Sequence, residues 1–264
     1  MNAVETLSAA REARAAGSLN LCLLLCAACL QRVRDEGDPE AEFWTFTCMG
    51  NAFVARGEPE SGLAYLRLAR DVALEGGLTP RLCVAYHNLF IGERDAHRGK
   101  AAKRHAGVAL TLYRDTGRNH AGIAALTADM AEADLTESPS LENAAHALQC
   151  WRGASTLADS TRERMVVACN WMTAASLLRL DERYVSAADL LDRALLEHGA
   201  SEYAAVCMTT GARAALRMRD FERASALAQG AVSVAGIRGE TVWLAQAEEV
   251  RSAALAGRQA PAYT

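Results

Sequence analysis

Residues 46–53 read Phe46-Thr47-Cys48-Met49-Gly50-Asn51-Ala52-Phe53: a large side chain, two spacers, a second large one, a glycine, two spacers, an aromatic. A turn phrase follows at Gly57-Glu58-Pro59, then Gly62, Leu66 and Ala69, and a break at Gly76-Gly77 before Pro80. Two antiparallel helices whose axes cross closely need small residues at the crossing, here Gly50, Gly62 and Ala69. They need large ones, Phe46, Phe53 and Leu66, to fill the flanking holes. The stretch predicts a helical hairpin.

The phrase recurs with drift. Tyr86 and Leu89 open a second unit, whose partner helix offers Ala102, Ala106, Ala109 and Leu112. Ile123, Leu126, Met130 and Ala133 share one face of a third opening helix; its partner runs from about Ser140 to Ala158, with Leu141, Ala144, Leu148 and Trp151 on the apolar side. Trp171, Ala174 and Leu178 begin a fourth, followed by Leu180-Asp-Glu-Arg-Tyr184, Ala187, Leu191 and Ala194. Met208, Ala212 and Ala215 begin a fifth, followed by Arg219-Asp220-Phe221, Ala224, Ala228 and Ala231. The spacing is read as near 34 residues where regular. An amphipathic pair at about Ala3 to Ala16 and Ser18 to Asp35 precedes the array, and a helix from Glu240 to Ala256 closes it. Glu137-Ser-Pro139-Ser is the only proline-containing loop of any length, and Gln259 to Thr264 read as a frayed tail.

Taken together these phrases resemble the tetratricopeptide repeat, whose pattern is W-x2-L-G-x2-Y, then A-x3-F, then P. The resemblance implies an all-α, right-handed superhelical solenoid of antiparallel hairpins with about 12–13 helices. One such solenoid would span 1–264: a degenerate hairpin at 1–36, about five repeats at 40–235 and a closing helix at 239–257. It also implies that the first helix of each repeat lines a concave groove.

Composition agrees with helices. The 264 residues include 55 alanines, 51% are hydrophobic and only 6% aromatic, a balance rich in helix formers and poor in β-branched residues. The net charge of −4 gives no basic surface for general nucleic-acid binding. Leu19 to Leu30 is nearly all apolar but shorter than the roughly 20 residues that cross a bilayer. Glu5 and Glu12 before it, and an amphipathic continuation to Val33, argue against an export leader. The eight cysteines lie within apolar helical patterns, as free thiols packing like small hydrophobes, so the expected setting is cytoplasmic.

Cys22-x3-Cys26-x2-Cys29 has the spacing of the cluster-binding triad of radical S-adenosylmethionine enzymes. The intervening leucines and alanines place the three thiols on one helical face, and packing is the preferred reading over a cluster. The histidines form no HExxH or HxH pair. No nucleophile elbow, P-loop or dinucleotide fingerprint is present, so neither catalytic residue, metal nor cofactor is expected.

Groove geometry, carried over from the resemblance, nominates Trp44, Thr47, Asn51 and Val54, then Val84, His87, Ile91 and Arg94. Ala121, Ala124 and Ala128 follow, then Met172, Ser176 and Arg179, then Thr209, Arg213 and Leu216, with Leu244, Glu248 and Arg251 from the closing helix. Arg94, Arg179, Arg213 and Arg251 would make a basic stripe suited to an acidic or C-terminal-carboxylate peptide. The expected function is a non-enzymatic interaction module that captures a protein or peptide, without direct contact to nucleic acid or membrane, and able to pair two copies through a terminal helix. The alternatives are a stand-alone sensor domain of a bacterial transcriptional regulator, for which Trp44, Tyr86 and His87 are pocket candidates, and an iron–sulfur or thiol enzyme.

Overall fold

The computed structural model describes residues 2–116, 120–138, 140–155, 161–198 and 203–259. Pro139, the predicted helix end at Ala158 and the tail beyond Gln259 lie outside them. The described residues form thirteen α-helices and no strand. They are α1 (Ala3–Ala15), α2 (Leu19–Glu36), α3 (Pro39–Ala55), α4 (Pro59–Glu75), α5 (Thr79–Asp95), α6 (Gly99–Thr116) and α7 (His120–Glu137). The series continues with α8 (Leu141–Ser155), α9 (Thr161–Leu177), α10 (Asp181–His198), α11 (Ala204–Arg217), α12 (Phe221–Arg238) and α13 (Thr241–Gln259). None is long and apolar enough to cross a membrane among the described residues. The chain divides inside α7 into two compact units, Met1–Leu126 and Thr127–Thr264.

Local chemistry fixes where each helix starts and stops. Asn2 and Glu5 form a reciprocal capping box on α1, and the Asp38 carboxylate accepts from the N–H groups of Glu40 and Ala41 at 3.0 Å, with Pro39 at the first helical position of α3. These groups satisfy donors that have no partner inside the helix. The stops are more uniform than the sequence pattern suggests. Gly17, Gly37, Gly57, Gly77, His97, Arg179, Arg219 and Gly239 all hold a positive φ of 55–85°. At each, the turn residue donates to the carbonyl three back and its successor donates to the carbonyl five back, as in Gly57 to Val54 and Glu58 to Phe53, both 2.9 Å. This is the paired closure of a left-handed helix cap.

Those turns set the repeat length. From Gly17 through Gly37, Gly57 and Gly77 to His97 the step is 20 residues per helix and 40 per hairpin, and Arg179, Arg219 and Gly239 keep it. The 34-residue spacing read from the sequence is therefore corrected to 40. Most helices here run 17 or 18 residues, about one turn longer than a 34-residue hairpin accommodates.

In each unit, successive hairpins stack. In the first, α3 packs on α4, α5 on α6, and the opening helices touch each other, α1 on α3 and α3 on α5; in the second, α9 contacts α11 and α11 contacts α13. The close crossing predicted between Gly50 and Gly62 is present: a Cβ on Gly62 would meet the Gly50 carbonyl oxygen at 2.7 Å, and one on Gly50 would meet Leu66 Cγ at 2.6 Å. Phe46, Leu66 and Ala69 are buried beside it. Such serial, small-on-large nesting makes each hairpin depend on its neighbours for burial.

Candidate functional site

Cys22, Cys26 and Cys29 face one way along α2 and are fully buried, in the same apolar core as Cys48 of α3. Cys22, Cys26 and Cys48 share hydrogen bonds; those bonds and burial push the Cys26 thiol well up. Cys29 donates from Sγ to the Ala3 carbonyl at 3.4 Å. The thiols thus act as small core side chains, all eight cysteines are free, and no grouping of three or more His, Cys, Asp or Glu suited to a metal occurs among the described residues.

The surface that remains is on the opening helices. Counting back from the turn residue, the side chains thirteen earlier are Val4, Trp44 and Val84 in the first unit and Val166 and Val206 in the second; those six earlier are Arg11, Asn51 and Ile91, then Thr173 and Arg213. Every one of them retains solvent exposure. The side chains seven earlier, Ala10, Gly50, Phe90, Met172 and Ala212, are all buried. A helix has about 3.6 residues per turn, so a shift of one position turns a side chain by about 100°, from solvent to core.

That register sorts the predicted groove residues. Trp44, Asn51 and Arg213 stand on the accessible rows. Met172 belongs to the core row and is fully buried, and Ser176 is 1% exposed; the accessible neighbours are Thr173 and Leu177. Thr209 is likewise buried, its hydroxyl donating to the Ala205 carbonyl at 2.8 Å, while Thr210 keeps exposure. Thr47 is 4% exposed, its hydroxyl without a hydrogen-bond partner. These four do not line a groove. His87, at the Thr47-equivalent position, is half-buried, with Nδ1 3.4 Å from the Tyr113 hydroxyl, which burial pushes up to about 12. Arg179 is on no helix face: it is a turn residue with φ 55°, and its Nη1 donates to the Arg217 carbonyl. Arg94 pairs with Asp95 at 3.0 Å, and Arg251 donates to Gln229 Oε1 at 3.2 Å. Ala128 is buried and Ala124 half-buried; Ala121 lies outside the described side chains. Leu216 and Leu244 are half-buried and Glu248 is exposed.

In the first unit the accessible rows converge on Trp44. The guanidinium of Arg11, from α1, lies 4.3 Å from the indole centroid, and that of Arg81, from α5, lies 5.0 Å away. Glu40 accepts from Arg81 Nε at 2.7 Å and from the Trp44 indole N–H at 3.4 Å, and Arg81 holds the Glu40 carboxyl below its ordinary value. Three opening helices thus present an aromatic face with two cations and one anion, an arrangement that stacks planar or apolar groups and bonds to carboxylates. The sequence reading nominates Trp44 but neither Arg11 nor Arg81, because each comes from a different helix. The 40-residue step relates Arg11 to Asn51 and could have exposed it.

No protein-family model matches the chain, and no curated protein matches it. Solved structures do. The apo form of RapI aligns over 97% of this chain and 83% of its own, at 12% identity and a TM-score of 0.59. NprR, in complex with its cognate peptide NprX, aligns over 94% of this chain and 72% of its own, at 17% identity and a TM-score of 0.62. At those identities the likeness is one of fold: this chain has the all-helical, tetratricopeptide-like repeat architecture that they share.

Proposed function

We propose that the chain is a non-enzymatic interaction module that holds a peptide, or an extended segment of a partner protein, against the opening-helix faces of its repeats. The observation that carries this reading is the pair of accessible rows repeating every 40 residues, with Trp44 set between two guanidinium groups and a carboxylate. NprR, a structural neighbour, was solved with a peptide, which supports the reading by analogy of fold. Helices whose side chains are already held by core packing lose little freedom on binding, so such a surface captures an extended ligand at reduced ordering cost. Burial of the free thiols fits a reducing, cytoplasmic setting.

Selection of peptides from a randomised display library on the intact chain tests this. Selected peptides are expected to lose at least about tenfold in affinity with Trp44→Ala and with Asn51→Ala, both variants keeping wild-type helicity. Equal binding to wild type and both variants overturns the proposal.

A further inference from the structure

Arg213 and Arg217 lie one turn apart near the end of α11, on its solvent-accessible side. Arg179, at the left-handed turn after α9, reaches across to the Arg217 carbonyl. Three guanidinium-bearing side chains therefore gather where α9 and α11 end. Several arginines elsewhere have carboxylate partners: Arg81 has Glu40, Arg94 has Asp95, Arg98 has Glu93 and Glu60, and Arg223 has Asp192. Among the described residues, Arg179, Arg213 and Arg217 have none within 4.0 Å. Desolvation, and then the charge of Arg213, push the Arg217 guanidinium down from its ordinary value, although its surface stays open to solvent. Like charges one helical turn apart repel, while the negative end of α11 favours a cation at either position.

We infer that Arg179, Arg213 and Arg217 form a carboxylate-binding site in the second unit, taking an acidic side chain or the C-terminal carboxylate of a bound peptide; this rests on the peptide reading above. Guanidinium groups one turn apart present planar, bidentate donors to one carboxylate or to two adjacent ones. Val206, on the same face of α11 two turns earlier, offers an apolar wall for the residues that precede the acid. The ligand supplies a counter-charge that none of the described residues supplies.

Titration calorimetry of the intact chain with three hexapeptides that share an alternating leucine–alanine body tests the site. One is neutral and blocked at both ends, one has a free C-terminal carboxylate, and one is blocked and ends in two aspartates. At least one acidic peptide is expected to bind about tenfold tighter than the neutral one, and which one gains tells terminal from side-chain carboxylate. The Arg213→Gln/Arg217→Gln double variant is expected to erase that gain, so that acidic and neutral peptides bind it equally, while it keeps wild-type helicity. Equal affinities for all three peptides, or a gain that survives in the double variant, overturn the site while leaving the peptide reading standing. No binding by any of the three overturns both.

Discussion

The two units obey one turn rule and fill their interiors differently. The first buries Phe43, Phe46 and Phe90, and clusters Leu63 and Leu89 with Leu66, which meets the glycine notch at Gly50 and Gly62. The second uses methionine and alanine: Met165, Met172, Met208 and Leu191 among Ala168, Ala175, Ala187, Ala188, Ala212 and Ala215. At the equivalent buried position stand Ala10, Gly50, Phe90, Met172 and Ala212. A glycine there faces a large neighbour such as Leu66, so the volume shared across a crossing matters more than either residue. The turns fix the repeat, and the pairs fill it.

The largest break in that comparison is Phe46→Ala. Its ring is 2% exposed, and deletion should cost about 3–5 kcal/mol, a large part of a typical domain's stability; urea unfolding measures it. Next comes a matched pair of insertions. A Cβ at Gly62 meets backbone, the Gly50 carbonyl oxygen at 2.7 Å, and Val54 Cγ2 at 2.5 Å; a Cβ at Gly211 meets the flexible ends of Leu191 and Leu227, at 2.7 and 3.3 Å. Gly62→Ala should cost about 2–3 kcal/mol and Gly211→Ala about 1 or less. Equal costs would mean that the two units tolerate crowding alike.

The turn rule has its own test. Gly17 and Gly57 suit a positive φ, whereas Arg219 holds φ 61° with a side chain that disfavours it. Arg219→Gly should raise stability by about 0.5–1 kcal/mol, seen as a higher melting temperature; a fall would show that the arginine side chain supports the turn.

The smallest expected effect is acid lability confined to the first unit. Burial pushes the His105 imidazole below its ordinary value, against the opposing pull of Glu93, with Arg70, Arg104 and Arg67 adding to the depression; its ring also lies 5.7 Å from that of Tyr86. The unfolded chain then binds the proton more readily, so the contribution is complete above pH about 6.5 and is lost as pH falls through the folded value. Asp192 in the second unit is raised by burial, which makes acid relieve a cost there instead. Hydrogen exchange should show protection in α5 and α6 falling between pH 7 and 5 in wild type and less so in His105→Gln, with α10 spared.

Much of this was legible in the sequence. Gly57-Glu58-Pro59 announces a stop and a restart, and the N-terminal pair and closing helix were placed to within about three residues. The fold followed from Gly50, Gly62 and Phe46. The 40-residue step was missed because Arg179 and Arg219 occupy turn positions where glycine is the expected marker. The site was half legible for a related reason. Every alanine of α9 and α11 is buried, but small polar residues stand on both faces, Ser176 and Thr209 inside and Thr173 and Thr210 outside, so residue type does not mark the accessible row, and the reading slipped by one residue from Thr173 and Thr210. Trp44 was nominated from the groove geometry that the repeat resemblance implies, and it stands on an accessible row. Its partners Arg11 and Arg81 were not, because pairing across helices leaves no trace in a linear pattern.

The regularity of the left-handed caps gives the chain natural splice points. Gly17, Gly57 and His97 are interchangeable joints, so residues 18–57 could be excised or duplicated and the next helix would re-enter in phase. Cutting out 34 residues instead would leave six surplus ones, about 240° of misrotation after whole turns are subtracted, and would aim the next apolar stripe into water. Arrays of different length can thus be assembled from this chain, but only in whole 40-residue steps.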